Sequence, residues 1–204
     1  MTLTLDHIAV LGSTLEQAVT HCEAALGLPM GPGGAHARFG THNQLLGLAE
    51  GLYLEAIAVD PQAPPPPDAR WFGLDQFTGP ARLNKWICRV DDIAAAVQAL
   101  PGAGRLVPVT RGALSWTMAV PADGQLPFDG LFPALIQWHS QPPAGTQLPP
   151  NDRRLTRLTI SHPEAETLWA QLAPWLADTR ITCVTAPSAS LRATFAGDGR
   201  TWEL

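Results

Sequence analysis

Two side chains stand where their chemistry is out of keeping with their neighbours. His7 lies in the apolar run Leu3 to Val10, and Glu55 lies within Tyr53-Leu54-Glu55-Ala56-Ile57-Ala58. A carboxylate in an apolar strand is costly to bury unless it is paired, hydrogen-bonded or bound to a metal. A lone histidine in such a strand is ordinarily a hydrogen-bonded core residue. An imidazole and a carboxylate together also suit a first-row divalent metal such as zinc, iron, manganese or nickel. Further polar candidates are His36 after a glycine-rich stretch, Asn43 beside His42, and the run Gln137-Trp138-His139. Arg38 and Arg111 each offer a planar fork that fits a substrate carboxylate, against the commoner reading of an isolated arginine as a surface group. Trp138, Trp86, Trp116, Phe39 and Tyr53 would give a cleft aromatic walls, although aromatics at strand spacing more often pack a core.

Other chemistries are excluded by what the sequence lacks. There is no G-x-S-x-G elbow, P-loop or dinucleotide fingerprint, and Gly31-Pro32-Gly33-Gly34 contains a proline and is read as a loop. The net charge is −5 and the 13 Lys and Arg are scattered, so nothing tracks a phosphate backbone and nucleic acid is not expected as a partner. Cys22, Cys88 and Cys183 are odd in number and unpaired in spacing, which indicates small buried groups in a reducing compartment. Neither a signal peptide nor a membrane-length apolar run is present, so no membrane partner and a cytoplasmic location are expected.

The elements that must carry these residues follow from periodicity and punctuation. Alternation over Leu3 to Val10 predicts a buried strand with His7 on one definable face. Ser13-Thr14-Leu15-Glu16 has capping-box spacing for a helix from about Thr14 to Leu26, ended by Gly27 and Pro29. Strands are expected at Ala35 to Phe39, Asn43 to Leu48 and Leu52 to Val59. The five prolines between Pro61 and Pro67 cannot join a sheet ladder and mark a linker. A second unit starts with a strand over Leu83 to Val90 and a helix capped by Asp91 or Asp92. Strands at Leu106 to Thr110, Leu114 to Val120 and Ala134 to His139 follow it. A third start is expected at Leu155 to Ile160, with Ser161 to Glu164 as a capping box for a helix to about Leu176, then three strands.

The resulting organisation is a first βαβββ module at 1–60, a Pro-rich linker at 61–80, a second module at 81–142 and a shortened third unit at 150–204. Leu5-Asp6-His7-Ile8-Ala9-Val10 and Leu52-Tyr53-Leu54-Glu55 resemble the first-module histidine and glutamate ligands of the vicinal oxygen chelate superfamily. Gly33 to His36, Gly40 to Asn43 and Ile136 to His139 resemble segments of its glyoxalase-like domain family in particular, over roughly residues 1–142. The resemblance implies an α+β fold in which repeated βαβββ modules form curved mixed sheets around a shared cleft. It also implies a divalent metal on His7 and Glu55, with His139 or His36 as third ligand. The second-module positions, read as Trp86 and Gln137, lack the histidine and glutamate of a full site.

In such a site Glu55 and His139 would do the catalytic work, while His36, Asn43, Gln137 and Trp138 would contact substrate. The implied function is a metal-dependent lyase, isomerase or dioxygenase acting on a small oxygen-rich molecule. The alternative is a metal-free protein that sequesters a small ligand, for which the missing second-module ligands speak. A homodimer is expected on the general prevalence of two-fold assembly.

Overall fold

The computed structural model describes residues 1–204. The N-terminal alternating run forms β1 (Thr4–Leu11), followed by α1 (Leu15–Leu26), β2 (Gly31–His36), β3 (Thr41–Gly47) and β4 (Tyr53–Val59). Helix α1 buries Ala18, Cys22 and Leu26, whose four-residue spacing puts them on one face against the sheet. Its cap lies one residue later than the capping-box spacing suggests. Thr14 Oγ1 accepts from the Gln17 amide at 3.2 Å, and Ser13 Oγ donates instead to the Gly79 carbonyl.

Strand β2 is the larger departure, because it begins in the glycine-rich segment read as a loop. Gly34 and Ala35 pair with Asn43 and His42. A Cβ on Gly33 would lie 2.0 Å from the Asn43 carbonyl oxygen. The glycine is there to let two strands approach, a use of glycine that looks like a loop when only composition is considered.

The second module repeats the order as β5 (Arg82–Arg89), α2 (Ile93–Ala99), β6 (Arg105–Arg111), β7 (Leu114–Val120) and β8 (Ala134–Trp138). Asp92 caps α2 by accepting from the Ala95 amide. The two modules merge into one eight-stranded mixed sheet in the order β2-β3-β4-β1-β5-β8-β7-β6. At its centre β1 and β5 run antiparallel, with His7 opposite Ile87 and Ala9 opposite Lys85. These two pairs are images of one another under a local two-fold axis, so position 85 is the counterpart of position 7. The fold is therefore α+β, with paired βαβββ modules curving around a shared cleft.

The proline-rich segment between the modules is more than a spacer. Asp68 meets Arg38 from the first module and Arg105 from the second, an exposed arrangement that contributes little energy. Beyond it a single 3-10 turn, Trp71–Gly73, holds Phe72 at φ 62 and Gly73 at φ 69. Both aromatic rings of this turn are buried.

After a one-turn helix α3 (Ala144–Gln147), the third unit comprises β9 (Arg154–His162), α4 (Ala165–Leu172), β10 (Ile181–Thr185), β11 (Ser190–Gly197) and β12 (Arg200–Glu203). Its four strands form a separate sheet in the order β10-β9-β11-β12. The first strand is central here and parallel to the strand directly after the helix, whereas β1 is parallel to β4. The expected capping box at Ser161 is absent because β9 continues through His162, whose Nδ1 accepts from the Glu164 amide at 2.9 Å. Helix α4 ends at Leu172, just before Pro174, which has no N–H to continue the ladder. One hydrophobic core runs through both sheets, and no helix is long and apolar enough to cross a membrane.

Candidate functional site

The site begins with an irregularity in β1. The pairing register with β5 slips between Leu5 and His7, leaving Asp6 as an extra residue, and such a bulge re-aims a side chain that strict alternation would send to the other face. Asp6 Oδ1 lies 2.7 Å from His7 Nδ1, and Asp6 Oδ2 accepts from Trp138 Nε1 at 3.1 Å. His7 is paired with Tyr53 in the parallel β1–β4 register, and the two rings stack at 4.2 Å. Two residues further along β4, on the same face, Glu55 Oε2 lies 3.6 Å from His7 Nε2. That separation exceeds a hydrogen bond of ordinary strength. The other Glu55 oxygen accepts from Asn43 Nδ2 at 2.6 Å.

Burial works against charge on His7, but the hydrogen bond to Asp6 and the negative charges of Asp6 and Glu55 outweigh it and push the imidazole up to about 9. Burial also opposes ionisation of Glu55, and its contacts with His7 and Asn43 prevail, holding the carboxyl below its ordinary value. At neutral pH the pair is an imidazolium facing a carboxylate. Tyr53 is kept protonated by burial and by the charges of Asp6 and Glu55.

A second polar group faces this pair across the cleft. Arg111 at the end of β6 donates from one terminal nitrogen to His36 Nε2 at 3.2 Å and to Asn43 Oδ1 at 2.9 Å. An arginine can only donate, so His36 accepts at Nε2 and its Nδ1–H donates to Thr41 Oγ1 at 3.1 Å. Burial, helped by the charges of Arg111 and His7, lowers the His36 pKa to about 4 against the pull of Glu55. His36 is therefore neutral, in one tautomer. Asn43 Oδ1 also accepts from the Gly34 amide, so Asn43 links β2, Arg111 and Glu55.

These groups line one pocket with about 370 Å³ of empty space, walled by Trp71, Phe72, Trp116, Met118, Ile136 and Trp138. Both modules and the segment between them contribute, the segment through Trp71 and Phe72. Neither was a candidate in the sequence, where a proline-rich stretch reads as linker. The pair of aromatics ahead of Gly73 was the available signal.

Of the sequence candidates, the structure gathers His7, Glu55, His36, Asn43, Trp138 and Arg111 in this pocket. It does not bring Gln137 or His139 there. Ile136 and Trp138 face the cleft, so strand alternation turns 137 and 139 outward. Gln137 Oε1 accepts from the Ile93 amide at the start of α2. His139 is exposed and bonds Thr117 at 2.8 Å. Arg38 is engaged by Asp68 instead.

The second-module positions matching His7 and Glu55 also differ from those read in the sequence. The local two-fold relates His7 to Lys85, and the pairs Ala9–Glu55 and Ile87–Ala134 relate Glu55 to Ala134. Trp86 is a core residue whose indole donates to the Leu131 carbonyl. A lysine and an alanine add no metal donor, and the guanidinium of Arg111 occupies the lone pair of His36. No group of three or more His, Cys, Asp or Glu is placed to hold a metal ion. The donor set present does not fit the divalent ion that the resemblance implies, which needs at least three protein ligands in a catalytic zinc site.

Residues 5–176 match the family model of the glyoxalase-like domain. No curated protein matches the chain significantly. Among solved structures, a hypothetical protein from Staphylococcus aureus superposes with a TM-score of 0.70 at 13% identity, covering 100% of this chain and 98% of that one. Methylmalonyl-CoA epimerase from Streptomyces coelicolor scores 0.45 at 14% identity, covering 69% of this chain and 97% of that one. The Mycobacterium tuberculosis epimerase scores 0.43 at 18% identity, over 66% and 85%.

Proposed function

The chain belongs to the glyoxalase-like domain family, of the vicinal oxygen chelate type, and from that premise we propose that it is a metal-independent isomerase or lyase. It acts on a small oxygen-rich molecule held in the cleft between its two modules. The observation that carries this reading is the buried His7–Glu55 pair, 3.6 Å apart, with its two pKa values moved in opposite directions. Environments that separate two titratable groups in this way assign an acid and a base.

Glu55, ionised, takes a proton from the carbon beside a carbonyl. His7, protonated, gives its Nε2 proton to the oxygen on which negative charge develops. An isomerase then returns a proton to carbon and His7 recovers its own; in a lyase the enol proton returns to His7 as the carbonyl re-forms, the bond to a leaving group on the neighbouring carbon breaks, and that group departs with the proton held by Glu55. Asp6 fixes the imidazole through Nδ1, and the aromatic walls limit water. Metal-dependent lyase or dioxygenase chemistry finds no third ligand in the cleft, because His139 and Gln137 face outward and Arg111 engages His36.

A second reading, sequestration of a small apolar or aromatic ligand, draws support from the number of aromatic rings lining the pocket. One experiment separates the readings. Oxo and hydroxy compounds are incubated with the protein in deuterated buffer containing a chelator, and exchange of C–H for C–D is followed by NMR. The enzyme reading expects exchange with wild type and none with Glu55→Gln. Binding without exchange supports sequestration, and exchange that needs an added divalent ion refutes metal independence. The homodimer stays part of the proposal and is checked by light scattering.

A further inference from the structure

We propose that the substrate is a 2-oxo or 2-hydroxy acid with an apolar side chain, its carboxylate bound on the open edge of Arg111. The assignment rests on the reading of the cleft as a small-molecule site and adds the class of molecule. Arg38, Arg70, Arg105, Arg153, Arg154 and Arg180 each meet a carboxylate. Arg111 lines the pocket and meets none. Both of its hydrogen bonds leave from one terminal nitrogen, so the edge formed by Nε and the other terminal nitrogen has no partner. That edge presents two parallel N–H groups, the geometry that accepts a carboxylate in bidentate fashion.

The side chain is also held. His36 and Asn43 fix its terminal nitrogen, and Gly34 makes room for its stem, since a Cβ there would lie 3.0 Å from Arg111 Cδ. Held by neutral partners, Arg111 makes no direct contact with a carboxylate. A second, independent observation concerns Trp71, which also lines this pocket. Trp71 is 4% exposed, and its enclosed indole N–H has no hydrogen-bond partner. A buried donor left unsatisfied carries a penalty that a ligand oxygen would remove.

Position selects the class. One side-chain amide, Asn43, touches both Arg111 and Glu55, at 2.9 and 2.6 Å. A carboxylate on the guanidinium therefore sits a short span from the base, as the carboxylate and reacting carbon of an oxo or hydroxy acid require. Trp116, Met118, Ile136 and Trp138 surround the remaining space and suit an apolar side chain.

The test is isothermal titration of wild type, Arg111→Leu and Arg111→Lys with 2-oxo acids from pyruvate to phenylpyruvate and with the matching 2-oxo amides. At least one acid should bind wild type roughly tenfold or more tighter than its amide, as expected for a charge-assisted pair. Arg111→Leu should abolish that gap, Arg111→Lys should keep part of it, and Arg38→Leu should leave it unchanged. Trp71→Phe should weaken acid and amide alike. The assignment is overturned if no acid binds, if amides bind as well as acids, or if the gap survives in Arg111→Leu; thermal melts confirm folding, and Arg111→Lys decides should the leucine variant not fold. Acids that bind without C–H exchange would leave the carboxylate anchor standing and remove the proton-transfer reading. Exchange on neutral ketones with no preference for acids would do the reverse.

Discussion

Raising the pH from about 6 should draw off the proton that His7 holds between Asp6 and Glu55, and the fold should weaken as it leaves. In the unfolded chain the imidazole titrates near its ordinary 6.5, and in the fold it keeps its proton to about 9. Between those values the folded state binds more protons than the unfolded one, so stability falls with rising pH. The contribution is fully present below about 6.5 and gone above about 9. At about 1.4 kcal/mol per pH unit, a rise of that size corresponds to on the order of 3 kcal/mol. The assay is urea denaturation of wild type and His7→Gln between about pH 6 and 9.5, with the slope checked for constancy. At pH 6 the variant should be several kcal/mol less stable, because it leaves two buried carboxylates without their cation. The gap between the two proteins should then narrow by on the order of 3 kcal/mol, while titrations elsewhere affect both curves and cancel. A gap that stays constant across the range would show that His7 carries no extra proton in the fold, and the assignment of acid and base would fall with it.

Lys85 should behave in the opposite sense. Burial holds its ammonium down to about 8 from 10.5, so its charge opposes folding at neutral pH, and stability returns as the pH rises from about 8 to 10.5. Lys85→Met is accordingly expected to stabilise the protein by up to ~3 kcal/mol at pH 7, a gain that urea melts should show disappearing by about pH 10.5. The two glycines of β2 should differ: Gly33→Ala drives a Cβ into backbone oxygen at 2.0 Å and should lower stability by about 1 to 3 kcal/mol or more in a thermal melt. Gly34→Ala meets only the flexible stem of Arg111 and should leave the melt nearly unchanged while weakening binding of 2-oxo acids by calorimetry. Trp138→Phe removes one donor from the buried Asp6 carboxylate and should cost about 1 to 3 kcal/mol by urea denaturation; an unchanged midpoint would mean that Asp6 does not depend on that bond.

Much of the frame was legible because it is written in periodicity. Alternation in β1, the apolar run of β4 and the capped helices after β1 and β5 each signal themselves locally, and their repetition announces paired modules. His7 and Glu55 were legible for a related reason, since polar groups in apolar strands contradict their surroundings. What escaped depended on contacts between distant segments. The bulge that turns Asp6 toward His7 is a matter of pairing with β5, and nothing in Leu5-Asp6-His7 distinguishes it from regular alternation. Gln137 and His139 would reach the cleft only if position 137 faced inward; the face of β8 is set by Ile136 and Trp138, one residue out of phase. Arg111 and Arg38 were equal candidates for a carboxylate fork in the sequence, and only the contacts of Arg111 with His36 and Asn43 and of Arg38 with Asp68 separate them.

The two halves of the cleft show how one backbone supports different chemistry. The pairing slips at Asp6 on β1 and again between Ala9 and Val10, where Asn84 of β5 is the extra residue. The same bulge therefore occurs twice, related by the local axis. On β1 it sets a carboxylate against an imidazole, 2.7 Å apart. On β5 it sets a neutral amide against an ammonium, Asn84 Oδ1 to Lys85 Nζ at 2.5 Å. The geometry is shared, but the electrostatic consequence is reversed: Asp6 supports the charge on His7, whereas Asn84 cannot support the charge on Lys85, and burial prevails. With Ala134 in place of a second carboxylate, the second half offers the cleft neither a base nor a metal donor. It supplies Arg111 from its own edge strand pair and the aromatic wall of Trp116 and Trp138. In the proposed function, proton transfer therefore falls to the first half and recognition to the second, and the bulge in β1 is the backbone feature on which that division depends.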